Sequence, residues 1–330
     1  MGRAIPGADR ASGRCARMGV TTRIPVVIPT WNAGPVLGDV LDAIASQHGS
    51  YHADVIAIDS GSSDGTVERL RKYGARVLQV PSAAFNHGET RNEALTHALG
   101  ECAVLLVQDA VPASSHWLAA LVDPLLQDAS IAGTFARQVP AVRASRVTTH
   151  YLGQWIAAQA KPRVVGPLTA ESFARMPPAE RHATCAFDNV CSCIRLSVWR
   201  RYPFAATPIA EDLQWARDVL VAGHRLAYVP DAVVRHSHER SIAYELQRTY
   251  LVHRRLAEIF GLATVPTVGS LLRAVAATIP TNARLAAGEP TDRLRAMLRG
   301  AALGVAQPLG QYLGARSSRD GRELLRTSGI

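Results

Sequence analysis

Carboxylates, an arginine and histidines stand at the ends of apolar runs in this chain, where a sheet would present them to a ligand. Asp59 closes the run 54–59 and opens the turn Ser60-Gly61-Ser62-Ser63-Asp64-Gly65-Thr66. A carboxylate there can accept a hydrogen bond from a nucleobase imide or a ribose hydroxyl, whereas Asp64 suits the cap of the next helix. The segment Phe85-Asn86-His87-Gly88-Glu89-Thr90-Arg91-Asn92 leads into a helical pattern. Free N–H groups at a helix start favour anions, Gly88 leaves room for a phosphate, and Arg91 offers a fork of donors suited to a diphosphate. Most helical arginines are simply solvated; the company of His87, Gly88 and Asn92 weighs for a ligand. Asp109, in Val107-Gln108-Asp109-Ala110, follows another apolar run, so its carboxylate suits Mg2+ or Mn2+ as well as a cap. Glu211-Asp212 opens a helix whose dipole favours acids, and a carboxylate facing a cleft can also take a proton from a hydroxyl. Nothing in the spacing separates those two roles. His236 and His238 stand two apart on an extended segment, which points both to one side; a surface loop accounts for such histidines more often.

Short β-branched runs and helical patterns must position these groups. The run 24–28 is a compact apolar strand, and Val36, Leu37, Val40, Leu41 and Ile44 repeat at helical spacing. Further strands are expected at 54–59, 75–80 and 102–107, with a helix from about Glu89 to Leu99. This alternation predicts an α/β fold with a Rossmann-like, mostly parallel sheet covered by helices on both faces. Ligands of such sheets lie outside the carboxyl ends of the strands, where the polar segments fall. The stretch from about Gln138 to Thr184 has weaker periodicity and reads as an irregular or partly helical insertion. Strand and helix signals return over 185–234, and the chain is helical in pattern from Ser241 onward. The expected domains are a disordered leader at 1–22, with Met18 as a natural start, a catalytic α/β domain at 23–245 and a helical region at 246–330.

Composition narrows the partners. The net charge is +9, almost all from arginine, since lysine occurs only at 72 and 161. Such a balance suits nucleotide phosphates, nucleic acid or an anionic membrane. Nucleic acid is disfavoured because aromatic content is only 6% and the arginines gather near the termini. Five scattered cysteines read as buried, reduced thiols of a cytoplasmic protein, and Cys191-Ser192-Cys193 lacks the paired spacing of zinc sites. No apolar stretch reaches the roughly 20 residues of a membrane span. Arginine outnumbers acid across 273–330, interleaved with Leu, Val and Ala. That pattern fits a helix lying on the inner face of the plasma membrane, or an appendage packed on the core or in an oligomer.

In their order along the chain these motifs resemble family 2 glycosyltransferases, which have the GT-A fold and invert the anomeric centre. The likeness covers roughly 24–245. Pro29-Thr30-Trp31-Asn32 is similar to that family's opening strand end, the segment Asp59 to Thr66 to its D-x-x-S-x-D-G-T, and Glu211-Asp212 to its E-D pair. The segments 85–92, Gln108-Asp109-Ala110 and His236-Ser237-His238 look most like bacterial rhamnosyltransferases, which use dTDP-rhamnose to build polysaccharides or glycolipids. The resemblance implies that Thr30, Asn32, Asp59 and Asp64 hold base or ribose, and that His87, Gly88, Arg91 and Gln108 line the rest of the nucleotide-sugar site, with Arg91 on the diphosphate. It implies Asp109 with His236 or His238 as ligands of Mg2+ or Mn2+, and Asp212 as the general base toward a saccharide or lipid-linked acceptor. The family's D-x-D departs here, with Val107 in place of the first carboxylate, so metal dependence is expected to be less strict. Other nucleotide-sugars such as a UDP-hexose remain open. A sugar nucleotidyltransferase is the nearest enzymatic rival, but it calls for a glycine- and lysine-rich segment after the first strand, and Pro29-Thr30-Trp31-Asn32-Ala33-Gly34 stands there.

Overall fold

The structure, a computed structural model, describes residues 22–289 and 292–325. All of the expected leader but Thr22, and the start expected at Met18, lie outside the described residues. Strand β1 (Thr22–Thr30), helix α1 (Val36–Ala45), β2 (Tyr51–Asp59), α2 (Thr66–Tyr73), β3 (Arg76–Gln79), α3 (His87–Leu95) and β4 (Cys102–Leu106) follow the alternation read from the sequence. Then come β5 (Val111–Pro112), α4 (Trp117–Gln127) and β6 (Ile131–Val139). Strand β6 runs past Gln138, where an insertion was expected to begin. The insertion itself holds α5 (Arg146–Leu152), β7 (Arg163–Val165), α6 (Ala170–Arg175) and α7 (Pro178–Thr184). After it come β8 (Cys191–Arg195), α8 (Leu196–Arg201), α9 (Glu211–Val221) and β9 (Arg225–Arg235).

The strands form one sheet in the order β3-β2-β1-β4-β8-β6-β9-β5, with β7 paired to β9. Its first four strands are parallel, as the alternation predicts. Beyond β4 the sheet is mixed: β8 runs antiparallel to both β4 and β6, while β9 runs parallel to β6. Period-two alternation splits the core into two layers. Val27, Ile56, Ile58, Ala103 and Leu105 pack toward α3 and α9; Val26, Ile28, Val55, Val104 and Leu106 pack toward α4. With both faces covered, β4 and β8 are buried throughout. Cys102, Cys185, Cys191 and Cys193 are buried and unpaired, as expected; Cys15 lies outside the described residues.

Three helices close the chain: α10 (Ile242–Phe260), α11 (Val268–Ala286) and α12 (Arg293–Asp320). Helix α10 crosses the boundary expected at 245 without a break. Its Leu256, Ile259 and Phe260 join the core, and the Arg255 guanidinium donates to Gln214 Oε1 at 2.5 Å. Small residues let α12 press against its neighbours. A β-carbon at Gly304 would lie 2.8 Å from Ile279 N of α11, and one at Gly314 would lie 2.4 Å from the Tyr250 carbonyl oxygen of α10. The insertion takes part as well: Tyr151 OH donates to Asn282 Oδ1 at 2.8 Å.

Candidate active site

At the carboxyl end of β1 and β2, a frame of hydrogen bonds shapes one end of a cleft. Thr30 and Asp59 are register partners in the two strands. The Thr30 hydroxyl donates to Asp59 Oδ2 at 3.0 Å, and that carboxylate also accepts from Gly61 N, Ser62 N and Ser62 Oγ. Asp59 is 0% exposed. A carboxylate that accepts four hydrogen bonds organises the loop at this end of the cleft. Asn32, in the left-handed region at φ 43, accepts from Ser63 N and donates its own N–H to Ser62 Oγ. Asp64 bridges Gly34 N and Thr66, which makes it the bracket at the start of α2. The Thr66 hydroxyl holds its pKa below the ordinary value. Gln108 is likewise committed: its amide accepts from Trp31 N at 2.8 Å and donates to Trp31 O at 3.1 Å. Through these two bonds Gln108 clamps the first strand's end. What this frame exposes is the Trp31 ring, at 55%.

At the start of α3 the capping groups come from the protein itself. The Asn86 side chain accepts from Gly88 N and Glu89 N, so those N–H groups are not free for an anion. A β-carbon at Gly88 would lie 1.9 Å from the Ala205 carbonyl oxygen. Gly88 therefore admits the close approach of another stretch of backbone. Arg91 is 5% exposed, and its Nη1 lies 3.1 Å from Glu211 Oε1 and 3.0 Å from His87 O. In this arrangement Arg91 is a buried strut beneath Glu211. Breaking such a pair leaves an uncompensated buried charge, at a cost of about 3–5 kcal/mol. Burial, then Arg91, pushes the pKa of His87 down to about 4, so its ring is neutral.

This strut sets the start of α9. Burial opposes the charge of Glu211, but Arg91 and the Asn189 amide outweigh it and hold its pKa below the ordinary value. Ala210, just before the helix, sits in the left-handed region at φ 61, which costs an alanine roughly 1–2 kcal/mol. That bend places Asp212 beside Asn189, whose N–H donates to Asp212 Oδ2 at 3.2 Å. Burial, then the negative charges of Glu211 and Asp188, pushes the Asp212 carboxyl well above its ordinary pKa. A carboxylate so placed binds a proton more readily than usual, which is what a general base near neutral pH requires.

Asp109, His236 and His238 converge as the sequence suggests. Each offers a ligand atom, and the three atoms lie within 4.8 Å of one another. His236 Nε2 is 3.6 Å from Asp109 Oδ1, His238 Nδ1 is 3.3 Å from Asp109 Oδ2, and the two Nε2 atoms are 3.1 Å apart. Adjacent ligands of an octahedral ion at about 2.1 Å stand roughly 3 Å apart, so one nitrogen of each ring and one Asp109 oxygen, grouped within 4.8 Å, come near the spacing of a divalent cation's ligands. Burial pushes His236 down to about 4 and lowers His238 as well, against the pull of Asp109. Both rings therefore offer lone pairs.

Two side chains that sequence reasoning missed join this group to Asp212. Gln138 Oε1 lies 3.1 Å from His236 Nδ1, and Gln138 Nε2 donates to Asp188 Oδ2 at 2.5 Å. Asp188 and Asn189 are neighbours in the chain, so the path from Asp109 to Asp212 is continuous. Gln138 fell at the supposed edge of an insertion; the one available sign for Asp188 was a lone charge leading into the apolar run 190–194. A groove of about 680 Å³ lined by Phe173, Tyr202 and Arg217 lies toward the opposite end of α9 and contains none of these groups.

The family model described as "Glycosyltransferase like family 2" matches residues 22–261. The O-antigen chain rhamnosyltransferase RfbN of Salmonella typhimurium is 33% identical over 237 residues, covering 69% of this chain and 70% of that protein. The O-antigen chain rhamnosyltransferase WbaN of Salmonella anatum is 28% identical over 233 residues, covering 68% and 69%. Among solved structures, the mannosyltransferase PcManGT of Pyrobaculum calidifontis, in complex with GDP-Man and Mn2+, superposes with a TM-score of 0.58 at 20% identity, covering 91% of this chain and 88% of that one. Glucosyl-3-phosphoglycerate synthase of Mycobacterium tuberculosis gives 0.52 at 21% identity, covering 76% and 82%. At these identities the likeness is one of fold.

Proposed function

The chain belongs to the family-2-like glycosyltransferases, and from that premise we propose that it transfers rhamnose from dTDP-rhamnose, with inversion, to a saccharide or lipid-linked acceptor hydroxyl of a cell-envelope polysaccharide. The observation that carries this reading is the joining of the Asp109, His236 and His238 group to the proton-avid Asp212 through Gln138 and Asp188. The names of the Salmonella relatives, both O-antigen chain rhamnosyltransferases, support the sugar. Trp31 offers the thymine ring an exposed aromatic face to stack on.

Asp109, His236 and His238 would hold a divalent cation, Mn2+ in preference to Mg2+ because two of the three donors are imidazole nitrogens. Such an ion, when bound, offsets the negative charge that the departing diphosphate gains. Asp212 accepts the proton of the attacking hydroxyl as its oxygen bonds to the anomeric carbon. Attack from the side opposite the diphosphate inverts that carbon, and the anomeric configuration of the product reads this out. Glu211, tied to Arg91, keeps the first turn of α9 in place while the charge shifts.

In a thermal-shift titration with Mn2+ present, dTDP-rhamnose is expected to raise the melting temperature and UDP-hexoses to leave it unmoved. The converse pattern would overturn the donor assignment.

The acceptor end points to a membrane surface. No described helix is long and apolar enough to cross a bilayer. Helix α11, however, presents Val268, Leu272, Ala276 and Pro280 to solvent at four-residue spacing, flanked by Arg273 and Arg284 and by no acidic residue. Leu272 is 65% exposed, and on α12 Leu294 and Leu298 are 68% and 64% exposed near Arg293 and Arg295. Apolar side chains framed by arginine suit shallow insertion among anionic lipids. The protein is expected to sediment with vesicles containing phosphatidylserine and to stay in solution with phosphatidylcholine alone. No difference between the two would remove the membrane from the proposal.

A further inference from the structure

We propose that the Gln138–Asp188 pair decides which nitrogen of His236 carries its proton, and so keeps an unprotonated Nε2 turned toward the cation position. The inference rests on reading Asp109, His236 and His238 as that position.

The argument is one of donors and acceptors. Three N–H groups converge on the two oxygens of Asp188: Val190 N at 2.9 Å on Oδ1, and Trp155 Nε1 at 3.2 Å with Gln138 Nε2 at 2.5 Å on Oδ2. That arrangement suits the carboxylate, which accepts and cannot donate. The amide nitrogen of Gln138 must therefore face Asp188, and its oxygen must face the other way. Facing that oxygen, at 3.1 Å, is His236 Nδ1. An amide oxygen only accepts, so Nδ1 holds the hydrogen. A neutral imidazole has only one N–H, which leaves Nε2 with a bare lone pair. Nε2 is the atom directed at Asp109 and His238. Turning the amide over would set a nitrogen against Nδ1–H and an oxygen against a carboxylate, losing both contacts.

The topology explains why these three residues meet. Strand β6, which carries Gln138, lies between β8 and β9 in the sheet. Asp188 stands just ahead of β8 and His236 just beyond β9, where its N–H donates to the Val139 carbonyl at 3.0 Å. The middle strand thus presents an amide between a carboxylate on one side and an imidazole on the other. Gln138 is 4% exposed, so water does not compete for either bond. Such outer partners commonly change metal affinity by about 10–100-fold when removed. Gln138 and Asp188 are positioning residues, acting through His236.

The test uses the full-length protein labelled with 15N in its histidine rings, the His236 signals being assigned by their loss in His236→Ala. In metal-free wild type the proton is expected on Nδ1. Gln138→Met, similar in size but without an acceptor, is expected to give a mixture of tautomers and to weaken Mn2+ binding by about 10–100-fold in calorimetry. Gln138→Glu, whose carboxyl shares a proton with Asp188 and keeps its other oxygen for Nδ1–H, is expected to preserve both. Thermal melts of the metal-free variants check folding; if Gln138→Met does not fold, Asp188→Asn, which removes the carboxylate that orients the amide, takes its place with the same expectation. A wild-type proton on Nε2, a Gln138→Met protein with unchanged tautomer and affinity, or a Gln138→Glu protein as weak as the methionine variant would each overturn the inference. Absence of Mn2+ binding in wild type would instead sink the cation reading, and the ring spectrum would still decide the tautomer.

Discussion

Asp212→Asn is expected to lower turnover by about 10²–10⁴ while leaving donor binding unchanged, because general-base assistance is worth that much and asparagine cannot accept the proton. The position is specific to the carboxylate. Asp212 shares its surroundings with the charges of Glu211 and Asp188, and burial with that repulsion raises its pKa well above the ordinary value. The base acts only when deprotonated, so kcat/KM of the wild type should rise with pH through a limb lying above the usual carboxylate range. Asp212→Asn should lose that limb. Stability carries the same signature. A carboxyl whose pKa is higher folded than unfolded favours the fold below its unfolded pKa and loses that contribution as pH rises through the folded value. Denaturation of the wild type followed across that window should show a decline that Asp212→Asn flattens. A variant that kept full turnover, measured as released nucleoside diphosphate, would remove Asp212 from its role.

The second large effect belongs to the proposed cation site. Chelation by EDTA, or Asp109→Ala, is expected to reduce turnover by roughly 10³, equivalent to about 4 kcal/mol of stabilisation of the departing diphosphate. Added Mn2+ should restore the chelated wild type but not Asp109→Ala. His236→Ala should cost more than His238→Ala. The His236 side chain is 12% exposed against 33% for His238, and only His236 has Gln138 behind it. The solvent-facing ring has greater freedom, and water can replace it at less cost. Full activity after exhaustive dialysis against EDTA would rule out the ion.

Much of the site's location was legible in the sequence, because strand and helix periodicity are local. The runs read at 24–28, 54–59 and 102–107 formed parallel strands, and their polar ends came to one edge of the sheet. The spacing of His236 and His238, together with Asp109, anticipated a group that the fold does assemble. Partners were another matter. The sequence did not show that Ala205 lies against Gly88 or that Glu211 pairs with Arg91. Gln108 spends both amide atoms on Trp31, and Gln138 and Asp188 gave almost no local signal.

A residue's type states what it can donate, accept or carry, and its neighbours in the chain state which face it will occupy. On those grounds the sequence alone determined the strand–helix alternation and the chemical capacity gathered at one edge of the sheet. Which donor meets which acceptor was decided only by tertiary structure. The antiparallel placement of β8 between β4 and β6 brings Asp188 to Gln138, and the left-handed turn at Ala210 brings Glu211 to Arg91. Those pairings depend on the packing of segments far apart in the chain, a cooperative property that no local pattern of residues encodes.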